Sequence, residues 1–204
     1  MITEELFLRI AGYASQAPSS HNTQPWKFKL EGEQILIIPD LARKLPVVDP
    51  DNHSLFISLG CAIENLEVAA RHYGFTTQVS MNGKEESDPV KVKIANGNGI
   101  KEEPLFQYIK QRQVTKGKYD QKLIDEQTIE EIESIPLQSG IQIRIIQKPS
   151  DVDALKKLVV EGSNNQFNNR LFVEELVSWL RFSRREAMHT GDGIWNATMG
   201  LPPT

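Results

Sequence analysis

Two pairs of short alternating segments, each joined by a turn, most constrain what this chain can fold into. Trp26, Phe28 and Leu30 alternate with Lys27 and Lys29, Glu31-Gly32-Glu33 turns, and apolar residues return over Gln34 to Ile38. Phe75, Thr77, Val79 and Met81 alternate in the same way, Asn82-Gly83 turns, and Val90, Val92 and Ile94 alternate again after a longer loop. Strands joined so closely can pair only antiparallel, because a parallel pair needs a crossover of a dozen or more residues. Between the hairpins, Leu59, Ala62, Ile63, Leu66, Ala69, Ala70 and Tyr73 keep helical spacing, with a start as early as Asn52 and Gly74 as the stop. Hairpins mixed with helices predict an α+β fold with an antiparallel or mixed sheet flanked by helices, and argue against a doubly wound α/β sheet.

The remaining segments read more simply. Thr3 caps a first helix running to Ser15, with Glu4 and Glu5 at its positive end and Leu6, Ile10 and Tyr13/Ala14 on one face. Short helices are predicted over Leu105–Gln113 and Asp125–Ser134, and a fifth strand at Ile141, Ile143 and Ile145. Ser150 to Asp153 begins a further helix, and Phe172, Leu176, Trp179 and Leu180 mark a last one. After Glu186 the chain turns Gly-rich, with nothing local to anchor it.

Composition removes whole classes of function. The 23 Lys+Arg against 27 Asp+Glu give a net charge of −4, which offers no global attraction to nucleic acid or anionic membrane. The single Cys61 forms no disulfide framework and no Cys-rich zinc site, and reads as a small buried hydrophobe. His21, His53, His72 and His189 show no metal-ligand spacing, so no metal is expected. No run approaches the roughly 20 apolar residues of a membrane helix, and the acidic start is unlike a secretory signal, so a cytoplasmic protein is expected. Ser19, Ser20 and His21 lack the G-x-S-x-G setting of a hydrolase. Gly97-Asn98-Gly99 lacks the third glycine of a dinucleotide fingerprint and is followed by acidic Glu102-Glu103, so it reads as a loop; Thr190-Gly191-Asp192-Gly193 reads as a turn.

Two polar stretches carry more chemistry. The loop Ala17 to Pro25, bounded by Pro18 and Pro25, gathers Ser19, Ser20, Asn22 and Gln24 between a helix end and a strand. Such hydroxyls and amides suit an oxygen- and nitrogen-rich ligand such as a flavin, or else satisfy one another in an Asx-type turn. Arg112, Lys116 and Lys118 lie among Gln113, Thr115 and Gly117; such cations can neutralise a phosphate, and read alone they suit a solvated basic loop better.

The stretch Ala17-Pro18-Ser19-Ser20-His21-Asn22-Thr23-Gln24-Pro25-Trp26-Lys27-Phe28 resembles the A-P-S-x-x-N-x-Q-P-W-x-F segment of the nitroreductase family of FMN oxidoreductases. Leu59-Gly60-Cys61-Ala62-Ile63-Glu64-Asn65-Leu66, continuing to Gly74-Phe75, resembles that family's central helix. Arg112-Gln113-x-Thr115-Lys116 with Tyr119-Asp120 resembles its R-R-S-x-R-x-F-D segment, with Gln, Thr and Lys in place of Arg, Ser and Arg. The Arg-rich segment follows the Q-P-W loop here, as in the longer, double-length members. That order leads us to expect one nitroreductase-like domain over 1–204, with a Q-P-W half at 1–103 and a shortened second half at 104–204.

The resemblance implies a homodimeric flavoprotein, using FMN to pass hydride from NAD(P)H to a nitroaromatic, quinone or similar acceptor. It carries Ser19, Ser20, Asn22 and Gln24 to the flavin, with Trp26 at the wall of the site, and Arg112, Gln113, Thr115 and Lys116 to the phosphate or pyrimidine edge. The flavin does the electron chemistry, so no protein residue is expected to be catalytic. A flavin-sequestering protein without turnover, and a non-binding scaffold that serves as a subunit partner, are the alternatives.

Overall fold

The computed structural model describes residues 2–97, 103–114, 119–120 and 122–199. The chain divides into two compact units, one of residues 1–115 with 174–204 and the other of residues 116–173.

In the first unit, α1 (Glu4–Ala14) is followed by the hairpin β1 (Trp26–Glu31) and β2 (Gln34–Pro39), then α2 (His53–His72), then β3 (Phe75–Ser80) and β4 (Val90–Asn96). The four strands form one antiparallel sheet in the order β1-β2-β4-β3. β2 and β4 therefore lie at the centre, where register sets Ile35 opposite Val92 and Ile37 opposite Val90. These residues are buried and pack with Ile10 and Ala14 of α1 and with Leu55, Leu59, Ala62, Leu66 and Ala69 of α2. The fold is α+β, as the two hairpins predict. β4 alternates because one face meets the helices and the other water, whereas β2 buries Ile35, Leu36 and Ile37 in succession.

The start of α2 is held in a way its sequence hides. Asn52 stands at the helix N-cap with φ +56° and no capping bond from its side chain. Asp49 does that work: its two carboxylate oxygens accept the Ser54 and Leu55 N–H groups at 2.9 Å each. A buried carboxylate at a helix N-terminus meets both the orphan donors and the positive end of the dipole. Asp49→Ala is expected to cost about 1–2 kcal/mol, read by urea unfolding followed by circular dichroism. At the other end, Gly74 takes φ +84° and the helix stops.

The described residues 174–199 are held by partners distant in sequence, where the sequence offers no local anchor. α5 (Arg170–Ser178) ends in β5 (Leu180–Arg181), which pairs parallel with β6 (Ile194–Trp195) around α6 (Arg184–Thr190). The Glu175 carboxylate accepts the Val47 and Val48 N–H groups at 3.0 and 2.9 Å, tying the end of α5 to the connection after β2. Such long-range ties leave no local signal to read.

The second unit contains α3 (Glu126–Glu133) and α4 (Pro149–Asn168). Asp125 caps α3 through the Thr128 N–H at 2.9 Å. None of its described residues is buried. The expected strand at Ile141, Ile143 and Ile145 is not formed; these residues belong to no ladder among the described residues. Alternation there finds no partner strand, and a strand without one leaves its backbone groups to water. The helix expected at Leu105–Gln113 is a single 3-10 turn, Phe106–Tyr108, where Phe106 stacks on His72 with ring centroids 3.6 Å apart.

Candidate functional site

The polar loop leaves α1 after Ala14 and turns through a short 3-10 turn, Ser20–Asn22, before β1. Its backbone is unusual. His21, Asn22 and Gln24 have φ +49°, +53° and +50°, the left-handed region that glycine favours. Asn enters it readily; His and Gln do so at a cost of order 1 kcal/mol or more each. Local bonds hold the shape: Ser19 Oγ accepts the Gln24 N–H at 2.9 Å, Ser20 O accepts the Thr23 N–H at 3.0 Å, and Thr23 is buried. Ser20 is half-buried in the turn.

The loop's amides are met by the segment between α6 and β6. Asn22 Nδ2 donates to Gly193 O at 3.1 Å, and Gly193 N–H donates back to Asn22 O at 3.1 Å. Gln24 Nε2 donates to Gly191 O at 2.6 Å. The sequence left open a ligand-binding loop or a self-satisfied turn. The partner proves to be neither a local turn nor residues nearby in sequence, but a segment about 170 positions downstream. Gly191 and Gly193 have φ +65° and +76°, and a Cβ on Gly193 would stand 2.6 Å from Trp179 O. Only glycine fits there.

Asp192 fixes this segment. It bonds Arg181 at 2.6 Å and Arg43 at 2.8 Å, and Arg43 also donates to Thr23 O at 2.8 Å. Burial alone would raise the Asp192 carboxyl, but the hydrogen bonds from Arg181 and Arg43 outweigh it and hold the group below the usual carboxylate range. Asp40 pairs with Lys27 at 3.1 Å and lies 3.8 Å from Arg43. Gln24, Trp26, Lys27, Asp40, Arg43 and residues 190–192 line a hollow of about 300 Å³, at the lower end of the range for ligand pockets. Its two cations face two carboxylates. Trp26 is at once a buried strand residue in the core and part of this lining.

The cationic stretch approaches the loop from its other end. Phe106 lies 4.5 Å from Tyr13 between ring centroids, and Lys110 Nζ stands 4.9 Å above the Tyr13 ring. These contacts seat residues 106–112 on the end of α1, and Arg112 donates to Gln16 O at 3.2 Å, two residues before Pro18. Arg112 thus reaches the start of the loop, while its bond is to the backbone and not to Asn22 or Gln24. Gln113 is exposed. Thr115, Lys116 and Lys118 lie outside the described residues. Arg43, Asp40, Arg181 and Asp192 were not foreseen as parts of one cluster; the only sequence signal was an acid between two glycines.

Among the described residues no group of His, Cys, Asp and Glu is placed to hold a metal ion, and no helix is long and apolar enough to cross a membrane. Cys61 is half-buried against the core.

Part of the chain is similar in sequence to proteins named putative NAD(P)H nitroreductases. The chain is 33% identical over 67 residues, 33% of its length, to "Putative NAD(P)H nitroreductase Rv3131" of Mycobacterium tuberculosis. It is 28% identical over 79 residues, 39% of its length, to "Putative NAD(P)H nitroreductase acg" of the same organism. The matches span 20% and 24% of those relatives' own lengths. These similarities support a relationship to the nitroreductase family, the family whose motifs the sequence resembles. A solved structure, "Putative NADH Oxidase" from Clostridium acetobutylicum, aligns with TM-score 0.39 and 16% identity over 48% of this chain and 78% of that one. No protein-family model matches the chain.

Proposed function

We propose that the protein is an FMN-dependent oxidoreductase of nitroreductase type, a cytoplasmic homodimer that passes hydride from NAD(P)H to a nitroaromatic, quinone or similar acceptor. The observation that carries the reading is the Pro18–Pro25 loop. It holds three non-glycine residues in left-handed backbone and presents hydroxyl and amide groups in the order the family motif has. Strain of that kind persists only where surrounding structure enforces it, and it concentrates at ligand sites.

The donor set suits FMN in chemistry. Ser19 and Ser20 offer hydroxyls, and Asn22 and Gln24 offer amides that both donate and accept. Arg112 at the loop's start is a cation for the phosphate or the pyrimidine edge, with Gln113, Thr115 and Lys116 following it in sequence. One N–H of each of the Asn22 and Gln24 side-chain amides bonds Gly193 O and Gly191 O, so the second N–H, the amide oxygens and the serine hydroxyls are the groups left to meet a ring edge or ribityl chain. Trp26 walls the site and keeps water from it. Bound FMN would supply the electron chemistry, taking hydride from the nicotinamide and handing it to the acceptor. The protein's part is to bind, orient and exclude water, so no residue is named as an acid or base. The domain reading accompanies this: a single nitroreductase-like domain over 1–204 with halves at 1–103 and 104–204.

A second reading, flavin sequestration without turnover, is favoured by the charge balance around the hollow and by Gln113, Thr115 and Lys116 standing where the family has Arg, Ser and Arg. Rapid mixing of the FMN-loaded protein with NADH or NADPH separates the two. Bleaching of the flavin spectrum is expected for the oxidoreductase; a flavin that stays oxidised leaves sequestration. Arg112→Ala is expected to weaken FMN binding by about 1.5–3 kcal/mol, the loss of a charged hydrogen bond. Unchanged affinity would remove Arg112 from the site.

A further inference from the structure

The hollow beside the start of β1 has balanced charges and unbalanced exposure. Lys27 and Arg43 stand with Asp40 and Asp192 on its lining. The side chains of the two carboxylates are 12% and 14% exposed, whereas those of Lys27 and Arg43 are 65% and 37% exposed. What the hollow shows to an incoming molecule is therefore chiefly cationic.

Hydrogen-bonding capacity is divided the same way. Every carboxylate oxygen is engaged. Asp40 Oδ1 accepts the Ala42 N–H at 3.3 Å, and Oδ2 meets Lys27 at 3.1 Å. Asp192 Oδ1 and Oδ2 accept from Arg181 and Arg43 at 2.6 and 2.8 Å. The cations keep donors in reserve. Arg43 spends Nη1 on Thr23 O and Asp192, both at 2.8 Å. Its Nε stands 3.8 Å from Asp40 Oδ2, beyond hydrogen-bond reach, and its Nη2 bonds no described residue. Nε and Nη2 share one edge of the planar guanidinium, and their two parallel N–H groups match the two oxygens of a carboxylate. Lys27 meets Asp40 and has no other partner among the described residues, so two of its three N–H groups are unspent.

Charge and size narrow the ligand. Lys27, Arg43 and the adjoining Arg181 are three cations against the two carboxylates Asp40 and Asp192. A carboxylate cancels the one charge left over; a phosphate monoester, at about −1.5 to −2 near neutral pH, overshoots it. Asp40, the carboxylate beside the open edge of Arg43, is covered and neutralised by Lys27. About 300 Å³ admits only a short molecule. Gln24, also on the lining, keeps its amide oxygen and one N–H beyond its bond to Gly191 O, which suits a carbonyl or hydroxyl next to the acid group.

We propose that this hollow binds a short monocarboxylic acid of the keto- or hydroxy-acid class, its carboxylate lying across the Nε–Nη2 edge of Arg43 and within reach of the Lys27 ammonium. Neither cation is among the groups assigned to FMN, so the site stands whether or not the Pro18–Pro25 loop holds a flavin.

The test is a titration of the isotope-labelled full chain with pyruvate, followed by amide chemical shifts, beside methyl pyruvate and inorganic phosphate. Saturable shifts at residues 24–27, 40–43 and 190–192 are expected with pyruvate, and none with methyl pyruvate, which lacks the charge. Lys27→Ala, at an exposed position, is expected to weaken pyruvate binding at least fivefold. Arg43→Lys keeps the charge and loses the fork, and is expected to weaken it at least tenfold with the far-ultraviolet spectrum unchanged; should that variant unfold, Lys27→Ala alone decides. No saturable shift with pyruvate, equal binding of methyl pyruvate, or full affinity in Lys27→Ala would overturn the proposal. Phosphate held more tightly than pyruvate through the same residues would overturn the carboxylate assignment.

Discussion

Asp192→Ala is expected to cost about 2–3 kcal/mol of stability. The carboxylate bonds Arg181 and Arg43, whose side chains are 11% and 37% exposed. Removing one partner of a buried ion pair typically costs about 3–5 kcal/mol, because the remaining charge is left desolvated; the partial exposure of Arg43 reduces that. Asp192→Asn keeps the shape and some hydrogen bonds, so its loss should be smaller. The consequence reaches the polar loop. With residues 191–193 released, the Gly193 N–H that Asn22 O accepts should exchange with solvent faster, a change read directly by amide hydrogen exchange. The same group predicts a pH response. Its folded pKa lies below its unfolded value. The stability it confers is therefore fully present above about pH 4, the unfolded carboxylate value, and is lost as pH falls through the depressed folded value. Acid unfolding of Asp192→Ala should lack that component.

Leu66→Ala is the second large effect, expected to cost about 3 kcal/mol, within the 2–5 kcal/mol of buried leucine truncations. Leu66 is fully buried in the middle of α2, in the cluster that includes Ile10, Ile35, Ile37 and Val92. Two helices and two strands meet there, so the cavity cannot collapse without moving one of them. At about 2–4 °C per kcal/mol for a chain of this size, the melting temperature should fall by roughly 10 °C. An effect below 1 kcal/mol would mean that α2 does not pack on the sheet as described.

The parts of the fold that were legible share one property: their partners lie close in sequence or on one periodic face. The hairpins β1–β2 and β3–β4 and the buried side of α2 follow from alternation and from helical spacing. Ile141–Ile145 has the alternation of a strand and lacks a neighbour to bond, which no local pattern can reveal. The segment 190–193 was readable only as a turn, because what it bonds, Asn22 and Gln24, stands 167 and more residues away. Likewise Asp49, three residues ahead of the apparent N-cap Asn52, takes over the capping of α2. In the site, the polar loop was legible as a concentration of donors and acceptors. Its strained backbone and the Arg43–Asp192–Arg181 bridge were not, since they arise from tertiary contacts that override local preference.

The most direct test of the flavin reading is a titration of the purified full chain with FMN, followed by quenching of flavin fluorescence, beside the Gln24→Ala variant. Saturable binding of one FMN per protomer, weakened tenfold or more in Gln24→Ala with its circular dichroism unchanged, is the result expected. Absence of saturable binding, or equal affinity in the two proteins, would contradict a flavin held by the Pro18–Pro25 loop.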